Sequence, residues 1–120
     1  MVETNLAFAH LGFAHQTNIR LLQWYRAAGA TVAFGFARLP GLGKLYAEAA
    51  EGAAHLQHYV CETRPQDGLH PDGEIRFHQR SGGRVVCGLR YCANDPASLN
   101  HGALIVYNLN ELPELPDITL

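Results

Sequence analysis

The chain has 120 residues and a mass of 13.2 kDa, the size of one domain, with no room for separate catalytic and regulatory halves. Apolar residues make up 48% and charged residues 17%, enough to bury a core, which excludes a disordered chain. A formal charge of −2 gives no global pull toward nucleic acid or anionic membrane, and no apolar run approaches the length of a membrane span.

Residues 5–15 read either as a strand interrupted at Gly12, the preferred reading, or as an earlier helix. With Glu3 ahead of them and no basic flank, they do not form a secretory signal. The first helix is expected from Thr17 to Ala28, with Thr17 as N-cap, Leu21, Trp24, Tyr25 and Ala28 recurring at three and four, and Gly29 ending it. A strand follows in which Val32, Phe34 and Phe36 share one side and small residues the other. Leu39-Pro40-Gly41 breaks the chain. A second helix is expected from Gly43 to Glu62, apolar through Leu45, Tyr46, Ala49, Ala53, Leu56, Tyr59 and Val60, with a polar stripe of Lys44, Glu48, Glu51, His55, His58 and Glu62.

Residues 64–73, with two prolines and two Asp-Gly pairs, are a loop. The period then switches to two, and Glu74–Arg80 and Arg84–Tyr91 read as a hairpin around Ser81-Gly82-Gly83, with Ile75 opposite Leu89, Phe77 opposite Cys87 and Glu74 opposite Arg90. A polar loop over 93–102 leads to a last strand, ALIVYNL, whose continuous apolar run places it inside the sheet, and residues 111–120 run extended along the surface. The expected fold is a single α+β domain over 1–120. In it, two main helices from the N-terminal half pack on a mainly antiparallel sheet made of a C-terminal hairpin plus a final strand.

The order of a His-bearing segment, a helix, Tyr25-Arg26-Ala27-Ala28-Gly29-Ala30 and a strand is similar to the opening of a glyoxalase-like metal module. The similarity stops there: a long helix over 43–62 falls where such a module continues with strands, its late Glu ligand has no counterpart, and no membership follows.

Two surfaces stand out. Seven histidines are present, and on the second helix Glu51, His55 and His58 lie three and four apart on one face, a nitrogen and oxygen set suited to zinc or another divalent metal. One helix seldom closes such a site, so a further ligand from His10, His15, His70 or His78 is required. The ordinary alternative is a solvent edge carrying i,i+4 pairs such as Lys44 with Glu48. The lone HxxH lacks the spacing and Glu of a metalloprotease helix.

The second surface is the outer face of the expected hairpin, where Arg76, His78, Arg80, Arg84 and Arg90 converge in a chain that holds eight arginines and one lysine. Arginine forks suit carboxylate or phosphate, whereas the aromatic interleaving that base stacking needs is missing, because Phe77 and Tyr91 alternate to the other side. The ordinary alternative is a solvated face whose charge discourages edge pairing.

His10 and His15, set among Phe8, Leu11 and Phe13, fit a core role better than a ligand role. Cys61, Cys87 and Cys92 are odd in number with no CxxC, which argues against a disulfide framework and for a reducing cytoplasm. Cys61 lies a turn beyond His58, yet a lone thiol more often acts as a small hydrophobe than as a nucleophile. Gly41-Leu42-Gly43-Lys44 lacks the spacing of a phosphate loop.

The favoured expectation is therefore a small binding or accessory domain presenting its arginine face to an acidic protein partner or anionic ligand, with no role for nucleic acid or membrane. The alternative is a metal-binding protein or metal-dependent small-molecule enzyme using the helical stripe. A homodimer is also expected to be open to a domain this small and apolar.

Overall fold

The protein's structure, a computed structural model, describes residues 13–113 and their side chains from residue 14 onward. Its elements in chain order are helix α1 (Phe13–Ala27), strand β1 (Val32–Arg38), helices α2 (Pro40–Leu45), α3 (Ala49–Val60) and α4 (Gly73–Arg80), and strands β2 (Gly83–Leu89) and β3 (Gly102–Asn108). Single 3-10 turns at Pro96–Ser98 and Leu109–Glu111 flank β3. The three strands form an antiparallel sheet in the order β1-β3-β2. The α+β class and the antiparallel sheet expected from the sequence are what the chain adopts.

The last strand takes the interior position its apolar run indicated. Ala103, Ile105 and Tyr107 point from β3 into a core with Leu22, Leu39, Leu42, Leu56, Tyr59, Ile75 and Leu109. Helix α1 begins at Phe13, so Thr17 is an interior residue rather than a cap and residues 13–15 are helical rather than extended. The expected strand's remainder, 5–12, lies outside the described residues. The helix stops as expected: Ala30 N–H reaches Tyr25 O and Gly29 N–H reaches Arg26 O, the paired bonds of a Schellman end.

The long helix expected over 43–62 is two helices. Tyr46 is extended, at φ −128° and ψ 143°, and separates α2 from α3. The cause is tertiary. Leu39 N–H donates to Ser98 Oγ at 2.9 Å, and α2 lies so close to the Pro96–Ser98 turn that a Cβ on Gly43 would fall 1.9 Å from the Ala97 carbonyl oxygen. The chain seats α2 there and must bend before α3 can cover the sheet. Leu45, expected on the buried face, is turned outward.

The largest correction concerns Glu74–Arg80, which is the helix α4 and not a hairpin strand. Its start carries the chemistry of a helix N-terminus: Asp72 caps it by accepting from Glu74 N–H at 3.0 Å, and Glu74 sits in the first turn. Its end is Gly82, at φ +96°, a left-handed conformation that suits glycine. Gly82 N–H bonds to Gln79 O, so the Ser81-Gly82-Gly83 segment closes a helix instead of turning a hairpin. In so short a window the two apolar residues Ile75 and Phe77 are too few to separate a strand's alternation from a helix, in which Ile75 alone is fully buried. Strand β2 pairs with β3, with a bulge at Val86.

Candidate functional site

The helical identity of α4 disperses the arginine face. Arg76 is half-buried and donates back to the His70 carbonyl at 3.0 Å, and His78 Nδ1 meets the Tyr107 hydroxyl behind the sheet. Arg80 is exposed at the end of α4, Arg84 lies on β2, and Arg90 is exposed just past β2. Arg76 and Arg80, four apart, still share one side of α4, but His78 turns to Tyr107 and Arg84 and Arg90 belong to β2 and the segment after it, so the five do not line one strand face as expected.

Glu51, His55 and His58 are exposed on α3 as the spacing predicted, but no further ligand joins them among the described residues. Among the described residues no group of three or more His, Cys, Asp or Glu converges. The His55 ring stacks on Tyr46 at 4.7 Å, nearly coplanar. The histidines offered as completing ligands are engaged elsewhere: His15 Nδ1 lies 3.3 Å from Ser81 Oγ, His78 faces Tyr107, and His70 is buried. His10 lies outside the described residues.

The sequence placed His70 and His101 in loops, with His70 also offered as a further metal ligand, and both are fully buried. His70 Nδ1 accepts from Asp72 N–H at 2.8 Å and its Nε2 lies 2.7 Å from the Tyr59 carbonyl oxygen. His101 repeats the arrangement, accepting from Tyr91 N–H at 2.9 Å with Nε2 2.7 Å from the Ala49 carbonyl oxygen. An amide can only donate and a carbonyl only accept, so each ring is the Nε2–H tautomer, stapling a loop to α3. No periodicity announces such a role.

Beside His70 a cleft of about 840 Å³ opens between α2, α3 and α4, with Lys44, Glu62 and Glu74 among its lining and Tyr59 and Asp72 in its wall. Asp72 accepts from Tyr59 Oη at 2.7 Å and from Gly41 N–H at 3.0 Å through one oxygen, and from Glu74 N–H through the other. Burial and then Asp72 push the Tyr59 phenol above its ordinary range, so it stays a donor. With both carboxylate oxygens engaged by the chain's own donors, this group is a structural joint rather than a general base.

Burial also pushes His78 below the usual imidazole range, against the Phe36 backbone and the Glu74 carboxylate, which raise it. Burial lowers His15 likewise, with the Phe77 backbone opposing and Arg80 adding to it. Both rings bind protons more readily in the unfolded chain. Stability is therefore full above about pH 7 and is lost as pH falls through about 6.5 toward the lower folded values. Asp95 has the carboxylate sign: Arg38 and then Ser98 hold it down to about 2, so its contribution is full above the ordinary carboxyl value and disappears only in strong acid. The melting temperature is expected to drop between about pH 7.5 and about pH 5.5, and His78→Gln to flatten that slope. A parent protein whose melting temperature is level across this range would contradict the assignment.

The surface that remains is the outer face of the sheet. Small residues on β1, Ala33, Gly35 and Ala37, face the helices, where a Cβ on Gly35 would meet the Tyr107 ring at 3.2 Å and the His78 ring at 3.4 Å. The bulky side is consequently turned away from the helices, and Phe34 is 69% exposed, with Val32 and Phe36 beside it. Strand β3 adds Leu104 and Val106, opposite Phe36 and Phe34, and β2 adds Val86, which is 54% exposed at the bulge, with Cys87 opposite Leu104.

Three strands of this length span roughly 14 by 23 Å. At about 300 Å² such a face matches the largest apolar patch of a typical monomer, a patch that often serves binding. The strand residues that form this face include no acid. Its cations are Arg84, opposite Val106, and Arg38, whose guanidinium is held in a bidentate pair by Asp95 at 2.8 and 2.9 Å. A second apolar stripe runs along α1 through Leu21, Trp24 and Tyr25.

The fold and this face define a two-layer α+β arrangement whose outer sheet face has no helix over it among the described residues. Compared with family models, curated proteins and solved structures, the chain shows no match, so the functional reading rests on its own residues.

Proposed function

We propose that this chain is a protein-binding accessory domain and that its docking surface is the outer face of β1, β3 and β2. The observation that carries the reading is the unbroken apolar surface of Phe34, Phe36, Val86, Leu104 and Val106 with Arg84 at its edge and no helix over it among the described residues. The partner such a surface recognises is a protein segment that pairs apolar side chains with carboxylates, buried against the phenylalanines and steered by Arg84. The acidic partner expected from the sequence is thus kept, with a mainly apolar contact in place of a field of arginines. Cys61, Cys87 and Cys92 are free, and no helix among the described residues is long and apolar enough to cross a membrane. A reducing compartment such as the cytoplasm suits those thiols.

Selection of displayed peptides against the purified full chain tests the reading. Enriched sequences should combine apolar and acidic residues, and Phe34→Asp or Val86→Asp should weaken their binding by about tenfold or more, the loss typical of a central contact residue. Trp24→Ala, on α1, should leave binding unchanged. Peptides that bind Phe34→Asp as well as the parent, or that lose binding only with Trp24→Ala, would falsify the outer face as the docking surface.

A further inference from the structure

The cleft between α2, α3 and α4 is built by other elements than the outer sheet face and differs from it in chemistry. Its volume of about 840 Å³ is that of a small-molecule site. Pro40, Leu45, Pro71 and Phe77 supply its apolar wall. Leu45 is 62% exposed there, because the bend at Tyr46 turns the last residue of α2 away from the core.

The polar side chains of the lining divide unevenly. Among the described residues Lys44 is the one side chain with a proton to offer. Glu62, Glu74 and Asp72 only accept, and Tyr59 Oη has given its proton to Asp72, so acceptor capacity is all it has left. Three carboxylates against one ammonium leave the cleft negative. Glu62 and Glu74 are half-buried, and among the described residues neither side chain is held in an ion pair or a hydrogen bond. Burial, then Asp72, then Glu62 raise the Tyr59 phenol, so both acids act on one floor. No three His, Cys, Asp or Glu among the described residues converge closely enough to share a metal ion. What complements separated acceptors beside an apolar wall is an extended organic cation.

We propose that this cleft binds a small amphipathic amine, with its ammonium or guanidinium group between Glu62 and Glu74 and its hydrocarbon part on Leu45, Pro40 and Phe77. Concave walls of low dielectric strengthen the attraction of the two carboxylates beyond what they exert on an open surface. Lys44 repels a second positive end, so a monoamine is preferred over a polyamine. The outer sheet face has no part in this binding.

An NMR titration of the full chain with phenylbutylamine tests the proposal. Saturable binding in the millimolar range or tighter is expected. Neutral phenylbutanol and anionic phenylbutyrate should bind about tenfold more weakly. Glu62→Gln with Glu74→Gln should weaken the amine about tenfold and leave the alcohol unchanged, whereas Leu45→Ser should weaken both. Lys44→Met should tighten the amine about twofold. Raising the salt concentration reports the same charge contribution on the unaltered chain, by weakening the amine and not the alcohol. Circular dichroism confirms that each variant is folded before affinities are compared. Equal affinity for amine and alcohol overturns the proposal, as does amine binding that survives removal of both carboxylates. No saturable binding up to about 10 mM overturns it too. So does binding that is lost with Phe34→Asp, which would move the amine to the outer sheet face. The docking reading of that face is tested separately, by the peptide selection.

Discussion

Asp72→Ala is expected to destabilise the fold by about 4 kcal/mol, measured by urea unfolding. Asp72 is 6% exposed and joins three helices. Its carboxylate takes Gly41 N–H from the first turn of α2, Tyr59 Oη from the last turn of α3, and Glu74 N–H as the cap of α4. Alanine removes the cap, about 1 kcal/mol. It also takes the acceptor from the tyrosine hydroxyl and the glycine amide, at roughly 1 to 3 kcal/mol each. Tyr59→Phe removes one donor together with its need for an acceptor and should cost only about 1 kcal/mol. Asp72→Asn, which keeps one acceptor oxygen, should fall between the two. An Asp72→Ala protein within about 1 kcal/mol of the parent would show that the joint adds little beyond helix packing.

The second large effect is expected where α3 crosses β2. Leu56 is fully buried, and Gly88 lies beneath it so closely that an added Cβ would fall 2.4 Å from Leu56 Cγ. Leu56→Ala should cost about 3 kcal/mol, from lost transfer energy and the cavity left behind. Gly88→Ala should also destabilise, because its neighbour is the branch point of a packed side chain rather than a flexible tip, and overpacking of this kind costs roughly 1 to 3 kcal/mol. The double variant places the new methyl group in the space vacated by leucine. Its loss should fall short of the sum of the single losses by about 1 kcal/mol or more. Additive losses in a double-mutant cycle would mean that the backbone shifts away from Leu56 instead of being held against it.

The same two interactions mark what could be read in advance. Leu56 was placed on the buried face of its helix by spacing alone, because an amphipathic helix must turn its apolar side inward whatever it packs on. The end of α1 at Gly29 and the interior place of β3 were equally local matters: a glycine after the last apolar turn, and a strand apolar on both sides. Asp72 was passed over as one residue of a loop, although Asp72-Gly73-Glu74 is an N-cap followed by an acid in the first turn. That end signal outweighs an alternation resting on Ile75 and Phe77, too few apolar residues to separate a strand from a helix. The arginine face went with that strand, since its convergence depended on two-residue periodicity.

By itself the sequence determined the α+β class, the inward faces of the central strand and of α3, and the division of β1 into a bulky and a small side. Periodicity and glycine placement act within a few residues and need no distant partner. Which side of β1 would meet the helices was decided only by tertiary structure: Tyr107 and His78 come so close to Gly35 that only the small side fits beneath α4. Phe34 and Phe36 are outside for that reason, and they make the surface on which the proposed function rests. The histidines divide in the same way. His55 and His58 share a helix face by spacing, whereas the burial of His70 and His101 depends on backbone amides and carbonyls brought together from residues far apart in the chain, which no local pattern encodes.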